Sequence, residues 1–282
     1  MLLELDAKVA KLNAHLQQLE SVAVAFSGGG DSSLLLALCI RALGPRRVLA
    51  VTADSPTLPR HELEEAQALA GELGAQFATV ATKELADDRF ANNPPDRCYY
   101  CKSELFARMR ALAEERGFHH LAYGATAADL GDFRPGMRAA AEAGAVAPLL
   151  AAGFSKADVR DLSRRLGLRT WDKPAMACLS SRFPYGTRIT QEKLTRVEQA
   201  EDLLRYGLGF REVRVRDHGD TARLEVGTSQ FARLLEAAVR EQVVTHLNGL
   251  GYAYVALDLS GFRSGSMNET LAQPAARDAV VD

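Results

Sequence analysis

The segment Phe26-Ser27-Gly28-Gly29-Gly30-Asp31-Ser32-Ser33 joins a short apolar strand, predicted at Val22–Phe26, to a segment of helical character, Asp31–Leu43. Glycines at such a junction let the backbone turn sharply and approach an anion closely. The following helix offers unpaired N–H groups and the positive end of its dipole, and the serine hydroxyls of the segment add further donors. The segment therefore predicts a phosphate-binding loop that comprises Ser27, Gly28, Gly29, Gly30, Asp31 and Ser32.

The acidic residue of this loop decides which kind of phosphate loop it is. A Walker loop has a lysine after its last glycine, and Asp31 stands there instead. Because a carboxylate repels bare phosphate, we expect Asp31 to face a Mg²⁺ ion bound to the triphosphate of ATP. The alternative is an ordinary glycine-rich turn, in which Asp31 only caps the helix.

Strand-like and helix-like segments alternate on both sides of the loop, after an amphipathic N-terminal helix at Met1–Glu20. The predicted strands are Val48–Thr52, Phe77–Val80 and His120–Gly124, and the predicted helices are Arg60–Leu73, Ser103–Arg116 and Ser155–Leu166. Such alternation predicts an α/β fold, a doubly wound parallel sheet covered by helices on both faces.

The order of elements changes after the loop at 174–187. The predicted elements there are a helix at Thr190–Tyr206, a hairpin of Glu212–Arg216 and Thr221–Val226 through His218-Gly219-Asp220, a helix at Ser229–Leu247 and a strand at Ala253–Leu257. We therefore expect two domains, 1–185 with the phosphate loop and 186–282 as a smaller α+β domain.

Composition narrows the class of protein. The chain has 282 residues, of which 47% are hydrophobic and 25% charged, and its formal net charge is -2, so we expect a soluble globular protein for which nucleic acid is an unlikely partner. The N-terminus lacks the features of a signal peptide, and the longest apolar run, Leu34–Ile40, is too short to span a bilayer. We expect a cytoplasmic protein with no membrane partner.

Two more segments lie where nucleotides bind in open parallel sheets, at the carboxyl ends of strands. Thr52–Ser55 follows the second strand and contributes Ala53 and Ser55, and Tyr123–Asp129 follows the fourth strand and contributes Gly124 and Asp129. The alternative for both is an ordinary loop whose polar groups cap helices.

The four cysteines are a further signal of chemistry. Cys98 and Cys101 share the spacing of a metal-binding or redox pair, and Cys178 follows in Ala177-Cys178-Leu179-Ser180-Ser181-Arg182. Cys39 lies in an apolar helical segment and is expected to be a core residue. Structural zinc needs a fourth ligand, whereas a [4Fe–4S] cluster held by three thiolates leaves one iron open. A zinc or redox pair with Cys178 unrelated is the alternative.

The motif Ser-Gly-Gly-x-Asp-Ser at Ser27–Ser32 resembles the signature of the PP-loop ATP pyrophosphatases, whose fold is of the adenine nucleotide alpha hydrolase type. Within that group the chain resembles the LarE family of pyridinium-biscarboxylate mononucleotide sulfurtransferases over nearly its whole length. Apart from the loop, the motifs that carry this resemblance are Asp132-Phe133-Arg134-Pro135-Gly136, Ser180-Ser181-Arg182-Phe183-Pro184-Tyr185-Gly186, Val213-Arg214-Val215-Arg216 and Gly261-Phe262-Arg263-Ser264-Gly265.

The resemblance implies a reaction and its cofactors. ATP with Mg²⁺ adenylates a carboxylate of the pyridinium mononucleotide, and sulfur then displaces AMP to give a thiocarboxylate for the nickel-pincer nucleotide cofactor. Some members sacrifice the sulfur of one cysteine, and others hold a [4Fe–4S] cluster on three cysteines. Cys98, Cys101 and Cys178 match the second group. The resemblance does not identify the sulfur donor.

The resemblance also assigns residues to the substrate. Ser181, Arg182, Arg214 and Arg216 resemble the set that binds the phosphate of the mononucleotide. For Arg214 and Arg216 the alternative is an alternating, exposed strand face. Glu201, which we take as catalytic, and Glu225 match acidic positions at the sulfur-transfer site. An acidic position of the family is missing near 230–233. The resemblance further implies a homo-oligomer.

Other functions compete with this one. A PP-loop tRNA thiolase also combines the loop with a Cys-x-x-Cys pair, but it predicts a basic RNA-binding surface. An ammonia-dependent ligase such as NAD synthetase leaves three spaced thiols without a role. A metal-binding module without enzymatic activity leaves the phosphate loop without one.

Overall fold

The computed structural model describes residues 2–131, 134–174, 177–263 and 265–270. The chain divides into two units, 1–176 and 177–282, so the division falls before the boundary that the sequence placed after residue 185. Each unit has its own sheet and its own apolar core. Asp132, Phe133 and Ser264, which belong to the quoted motifs, lie outside the described residues.

The first unit is built on four strands, β1 (Val22–Ala25), β2 (Val48–Asp54), β3 (Gln76–Ala81) and β4 (His120–Tyr123). Its helices are α1 (Leu2–Gln17), α2 (Gly30–Leu43), α3 (Arg60–Glu72), α4 (Asp88–Ala91), α5 (Arg97–Glu115), α6 (Pro135–Glu142), α7 (Pro148–Ala151) and α8 (Lys156–Arg165).

The strands of the first unit form a parallel sheet in the order β3-β2-β1-β4. The chain moves from β1 outward to β3 and then returns to the other side of β1, so the direction of winding reverses beside β1. Ala25 at the end of β1 is in register with Val51 on one side and Tyr123 on the other. The phosphate loop therefore leaves the sheet at its switch point, where open α/β sheets bind ligands.

Successive side chains of β1 pack into different cores, as the period of two requires. Val22 and Val24 join the core that receives the apolar faces of α1, α2, α3 and α8, and Ala23 joins the core on the face covered by α5. A strand buried on both faces reads as a continuous apolar run, which is what the sequence has here. The predicted doubly wound α/β fold is confirmed.

The second unit has strands β5 (Val213–His218), β6 (Thr221–Val226) and β7 (Tyr254–Leu257), and helices α9 (Gln191–Asp202), α10 (Phe231–Leu235) and α11 (Ala237–Gly249). β5 and β6 are antiparallel, and β6 and β7 are parallel. Its core takes residues such as Ala200 from α9, Leu224 from β6 and Val243 from α11. The order of elements is α-β-β-α-α-β, which matches the predicted α-β-β-α-β order except that the second helix is divided in two.

Several predicted boundaries are wrong. α5 begins at Arg97, so Cys98 and Cys101 lie in its first turns and not before the helix. The helix predicted at Ser229–Leu247 is interrupted at Glu236, whose extended ψ of 135° ends α10. The helix predicted to reach Tyr206 ends at Asp202 and continues as a wider π-helical turn. The short helices α4, α6 and α7 have too few residues to show a period. Among the described residues, no helix combines the length and apolarity that crossing a bilayer requires.

Candidate functional site

The phosphate loop is shaped by the close packing of its first glycine. Gly28 has a φ of 68°, in the left-handed region, and a Cβ at this position would lie 3.2 Å from Cβ of Ala66 on α3. A side chain here would meet both backbone strain and a neighbouring helix. Gly28 thus lets the chain reverse between β1 and α2 without leaving the switch point of the sheet.

The N-terminus of α2 presents donors to the space above the loop. The first helical hydrogen bond runs from Ser33 N to Gly29 O at 3.0 Å, so the N–H groups of Gly30, Asp31 and Ser32 precede it. Within the described part of the chain these three groups have no acceptor. They form a surface suited to an anion, at the positive end of a helix dipole.

The serine hydroxyls of the loop brace it from within. Ser32 Oγ and Ser33 Oγ donate to Gly29 O at 3.1 and 2.8 Å, and Ser27 N donates to Ser32 Oγ at 3.3 Å. Ser33 is fully buried, whereas Ser27 is exposed. Ser27 and Ser32 can turn toward a bound anion, and Ser33 only supports the loop.

Gly124, at the end of β4, lies directly against the start of α2. A Cβ at this position would come within 2.9 Å of Ser32 N and 3.0 Å of the carbonyl carbon of Asp31, which are backbone atoms that have little freedom to move. The glycine is therefore required by the approach of two backbones. It sets the distance between the β4 loop and the phosphate loop.

A lysine occupies the space between two carboxylates of this site. Lys156 Nζ lies 2.5 Å from Asp31 Oδ2 and 3.6 Å from Asp129 Oδ2. Lys156 is the first residue of α8, and a capping box of Ser155 and Asp158 fixes the start of that helix. Sequence reasoning missed this lysine. The capping box just before it was the one local signal of where its helix begins.

Asp129 is a buried carboxylate held in the ionised form. Burial alone would raise the pKa of its carboxyl group, but hydrogen bonds from Thr126 and the charges of Lys156 and Arg134 outweigh burial and lower the pKa. Thr126 donates from its backbone N and its Oγ1 at 2.8 and 3.0 Å. Two negative groups, Asp31 and Asp129, thus face one ammonium group beside the N-terminus of α2.

The loop after β2 holds its hydroxyl inward. Ser55 is buried, and its Oγ donates to the buried carboxylate of Glu84 and accepts from Thr57 N at 3.0 Å. Ala53 lies within β2 opposite Val80 of β3. The side chain of Ser55 therefore fixes the loop, and backbone groups are what this loop offers to a nucleotide. Glu84 was not predicted from the sequence.

The cysteine pair lies on one side of α5, because residues three apart in a helix are neighbours. Cys98 and Cys101 are both half-buried. Cation–π contacts flank the pair, with the guanidinium of Arg138 4.1 Å from the ring centre of Tyr99 and that of Arg89 5.0 Å from the ring centre of Tyr100. The first turns of α5 are thereby held against α4 and α6.

Cys178 belongs to the second unit and is exposed, whereas Cys39 is fully buried in the first. Burial raises the pKa of the Cys39 thiol to about 12, in keeping with a packed core residue. No disulfide joins the cysteines, all of which are described. Among the described residues, no three His, Cys, Asp or Glu side chains are grouped so as to hold a metal ion.

The second unit brings together the arginines and glutamates that the resemblance singled out. Arg182, 1% exposed, forms a bidentate ion pair with Glu201, with Nε–Oε1 and Nη2–Oε2 distances of 2.7 and 2.8 Å. Arg216 forms the same arrangement with the fully buried Glu225, at 2.9 Å for both bonds. Both glutamates serve as counter-ions in this structure.

Arg214 differs from these two arginines. Its Nη1 donates to Arg263 O at 2.8 Å and its guanidinium lies 4.4 Å from the ring centre of Phe262, but among the described residues no carboxylate is within ion-pair distance. Burial, together with the positive charges of Arg182 and Arg216, lowers the pKa of Arg214 to about 10. The five side chains Arg182, Arg214, Arg216, Glu201 and Glu225 therefore carry one excess positive charge, which an anion would neutralise.

The comparisons with known proteins cover both units. The family model of NAD synthase matches residues 4–118, the part that contains the phosphate loop. The pyridinium-3,5-bisthiocarboxylic acid mononucleotide synthase of Lactiplantibacillus plantarum is 43% identical over 267 residues, which are 95% of this chain and 96% of that protein. The chain belongs to the LarE family.

Two other similar proteins differ in how much of this chain they match. An uncharacterized protein of Synechocystis sp. is 42% identical over 95% of this chain and 99% of its own length. The NH(3)-dependent NAD(+) synthetase of Chlorobaculum tepidum is 33% identical, but over only 33% of each chain. The likeness to this NAD synthetase thus concerns a part of the chain, whereas the proteins from Lactiplantibacillus plantarum and Synechocystis sp. match 95% of it.

The candidate residues of this LarE protein fall into two groups. The loop Ser27–Ser32, Gly124 and Asp129 lie together in the first unit, with Lys156 added by the structure. Ser181, Arg182, Arg214, Arg216, Glu201 and Glu225 lie together in the second unit with Cys178. The cysteines are divided between the units, Cys98 and Cys101 in the first and Cys178 in the second.

Proposed function

We propose that this LarE protein is an ATP-dependent sulfurtransferase that converts a carboxylate of pyridinium-3,5-biscarboxylic acid mononucleotide into a thiocarboxylate, for biosynthesis of the nickel-pincer nucleotide. The observation that carries the proposal is the relative from Lactiplantibacillus plantarum, which matches both units and whose name states a bisthiocarboxylic acid mononucleotide as its product. The phosphate loop of the first unit and the arginine cluster of the second support it with chemistry suited to ATP and to a mononucleotide.

The first step is activation of the carboxylate. A carboxylate oxygen of the substrate attacks the α-phosphorus of ATP, the bond to the bridging oxygen breaks, and pyrophosphate leaves. The N–H groups of Gly30, Asp31 and Ser32 are suited to the charge of that leaving group. Asp31 and Asp129 offer carboxylates for Mg²⁺, and the backbone at Ala53 and Ser55 offers groups for adenosine.

The substrate phosphate is assigned to the second unit. Arg214 lacks a carboxylate partner among the described residues, and its pKa is lowered by burial and by two neighbouring arginines, which is the environment that an anion relieves. Arg216 is close enough to contribute to the lowered pKa of Arg214, but its own N–H groups already bind Glu225, Ser181 O and Ser266 Oγ, so we assign the phosphate to Arg214. Glu225 fixes the guanidinium of Arg216 through their ion pair.

The second step is replacement of oxygen by sulfur. Sulfide attacks the carbonyl carbon of the acyl adenylate, AMP leaves with the bonding electrons, and a thiocarboxylate results. Cys98 and Cys101 on one helical face supply two thiolates suited to iron, and we assign the third to Cys178 of the other unit. If a [4Fe–4S] cluster were bound, Cys98, Cys101 and Cys178 would hold it, and it would supply the sulfide for this step.

The decisive experiment measures both half-reactions with protein purified without oxygen, ATP, Mg²⁺, the biscarboxylate mononucleotide and sodium sulfide. We expect AMP and pyrophosphate in equal amounts, and a thiocarboxylate identified by mass. Cys178→Ala should form AMP and no thiocarboxylate, while Cys39→Ala, altered in the buried core, should retain both steps. Absence of AMP from the complete mixture would refute adenylation.

The metal content distinguishes the alternatives for the cysteines. We expect about four irons per chain and broad visible absorbance, both lost in Cys98→Ala and Cys101→Ala and kept in Cys39→Ala. Colourless protein with stoichiometric zinc would refute the cluster. Several turnovers per chain would support recycling, and a single turnover with loss of the Cys178 sulfur would instead indicate a sacrificial enzyme.

A further inference from the structure

The turn that carries Cys178, residues 177–182, has an exposed thiol on an immobilised backbone. Cys178 precedes a 3₁₀ helix at Leu179–Arg182, and Ser181 N donates to Cys178 O at 3.0 Å. The side chain of Cys178 is exposed, whereas Leu179, Ser180 and Arg182 are buried. The side chain of Cys178 therefore lies at the surface, on a turn whose following residues are mostly buried.

Arg182 binds most of the polar groups that fix this turn. Its Nη1 donates to the backbone carbonyls of Ala177 and Cys178 at 2.9 and 3.2 Å and to Ser181 Oγ at 2.8 Å, and its Nε and Nη2 bind Glu201. A guanidinium has five N–H groups in a fixed plane, and at least four of these are engaged here. At 1% exposure Arg182 has little left to offer a substrate phosphate.

The carbonyl of Cys178 is bound from three directions. Besides Arg182 Nη1 and Ser181 N, it accepts a hydrogen bond from Ser181 Oγ at 2.9 Å. Arg216 Nη1 in turn donates to Ser181 O. The backbone on both sides of the cysteine is thereby fixed by guanidinium groups, which leaves the thiol as the mobile part of the residue.

Glu201 connects this turn to the rest of the second unit. It lies on α9 and is fully enclosed, and its Oε1 also accepts a hydrogen bond from Val215 N on β5 at 2.9 Å. One buried ion pair thus ties the Cys178 turn to a helix and a strand. Arg214, by contrast, has a carbonyl and an aromatic ring as its neighbours and no carboxylate among the described residues.

We propose that Arg182, held by Glu201, is a positioning residue that sets the place from which Cys178 delivers or binds sulfur, and is not a ligand of the substrate phosphate. The proposal rests on the proposed part of Cys178 in sulfur transfer. In this proposal Glu201 holds Arg182 in place and does not take part in catalysis directly.

The test uses a double variant, because removal of Arg182 alone would leave the buried Glu201 with the more distant Arg205, at 3.7 Å, in place of a bidentate partner and endanger folding. Arg182→Met with Glu201→Met removes both charges at similar volume. The matched control is Arg196→Met with Asp217→Met, which removes another ion pair of the same unit, between half-buried Arg196 of α9 and buried Asp217 of β5. Arg182→Lys, with Glu201 intact, is the conservative rescue.

We expect the single-turnover rate of thiocarboxylate formation to fall about 100-fold in the Arg182/Glu201 variant, as for a displaced reacting group. AMP formation and the KM for the mononucleotide should stay within about twofold of the parent protein, within the scatter of distant, independent sites. The Arg196/Asp217 control should keep all three values, and Arg182→Lys should recover part of the rate. An unchanged rate, or a raised KM with an unchanged rate, would overturn the proposal, the second by assigning Arg182 to the phosphate.

A second measurement keeps this test separate from the proposed function. Amide hydrogen exchange of 177–183 should accelerate in the Arg182/Glu201 variant and stay at the parent rate in the Arg196/Asp217 control. Equal exchange in all three proteins would refute the anchoring of the turn. If the parent protein forms no thiocarboxylate at all, the proposed function fails, and the exchange result still decides whether Arg182 fixes Cys178.

Discussion

The ammonium of Lys156 lies 2.5 Å from the carboxylate of Asp31, so the acidic residue of the phosphate loop already has an ion-pair partner before a nucleotide binds. The same ammonium is 3.6 Å from Asp129. A Mg²⁺ ion that reaches these carboxylates must therefore replace a resident positive charge. We expect the displaced Lys156 to lie beside the N-terminus of α2, where the phosphates of ATP are expected.

Replacement of Lys156 by methionine tests this exchange. In Lys156→Met the carboxylate of Asp31 loses a competing cation, while Asp129 still pairs with Arg134, so Mn²⁺ without nucleotide should bind roughly tenfold tighter by electron paramagnetic resonance. The KM for ATP should rise, because the phosphates lose a cation. Lys8→Met, which removes an ion pair with Asp158 on the same helix, is the control and should alter neither value. Weaker Mn²⁺ binding in Lys156→Met would contradict the exchange.

The close approach at Gly124 predicts a steric effect on ATP use. Gly124→Ala places a methyl group 2.9 Å from Ser32 N, so the phosphate loop must move. We expect pyrophosphate release to fall about 100-fold and the free energy of unfolding to drop by about 1–3 kcal/mol. Gly71→Ala, in α3 with no atom within 4 Å of the added carbon, should retain activity and gain slightly in stability. Wild-type pyrophosphate release by Gly124→Ala would refute the packing argument.

Two arginines on β5 should respond in opposite ways to the same substitution. The pKa of Arg214 falls to about 10 in the folded protein from 12.5, so its charged form opposes folding below that pH. Arg214→Met should therefore stabilise the protein by about 1–3 kcal/mol, whereas Arg216→Met, which strips a buried glutamate of a partner, should destabilise it by about 3 kcal/mol. Chemical denaturation at neutral pH measures both.

Phosphate provides the matching test of ligand binding. Added potassium phosphate should raise the melting temperature of the parent protein above that in potassium chloride of equal ionic strength, by mass action. Arg214→Met should lose this difference. An equal phosphate effect in both proteins would place the anion elsewhere.

Asp129 predicts a pH dependence of stability. Its folded-state pKa lies below 3.8, so its contribution is present above that value and is lost as the pH falls through the folded pKa. Asp129→Asn should be less stable than the parent protein at neutral pH, and the two denaturation midpoints should converge in acid. Asp161→Asn, which alters a half-buried carboxylate of α8 that pairs with Arg164 and Arg165, is the control. A constant difference down to low pH would contradict the assignment.

Much of the first unit could be predicted from local pattern. The apolar run at β1, the glycines after it and the helical period of α2 indicate a strand, a phosphate loop and a helix without further information. The start of α5 was missed because the Cys98–Cys101 stretch carries aromatic and polar residues, which show no helical period until Leu105 and Phe106 are buried. The break at Glu236 was missed because its flanking residues both favour helix.

The sequence by itself determined that a phosphate loop follows a central parallel strand, since glycine spacing and strand periodicity depend on neighbours along the chain. It also supplied the cysteines and arginines of the candidate sites. Only the tertiary structure decided the charge states and partners of those residues, because these depend on side chains brought near from distant segments. Lys156 reaches Asp31 from 125 residues away, and Glu201 joins Arg182 across 19. Arg182 and Arg214 look equivalent in the sequence. In the structure Arg182 is buried beside the carboxylate of Glu201, whereas Arg214 is buried beside a carbonyl and an aromatic ring, so we propose different roles for them.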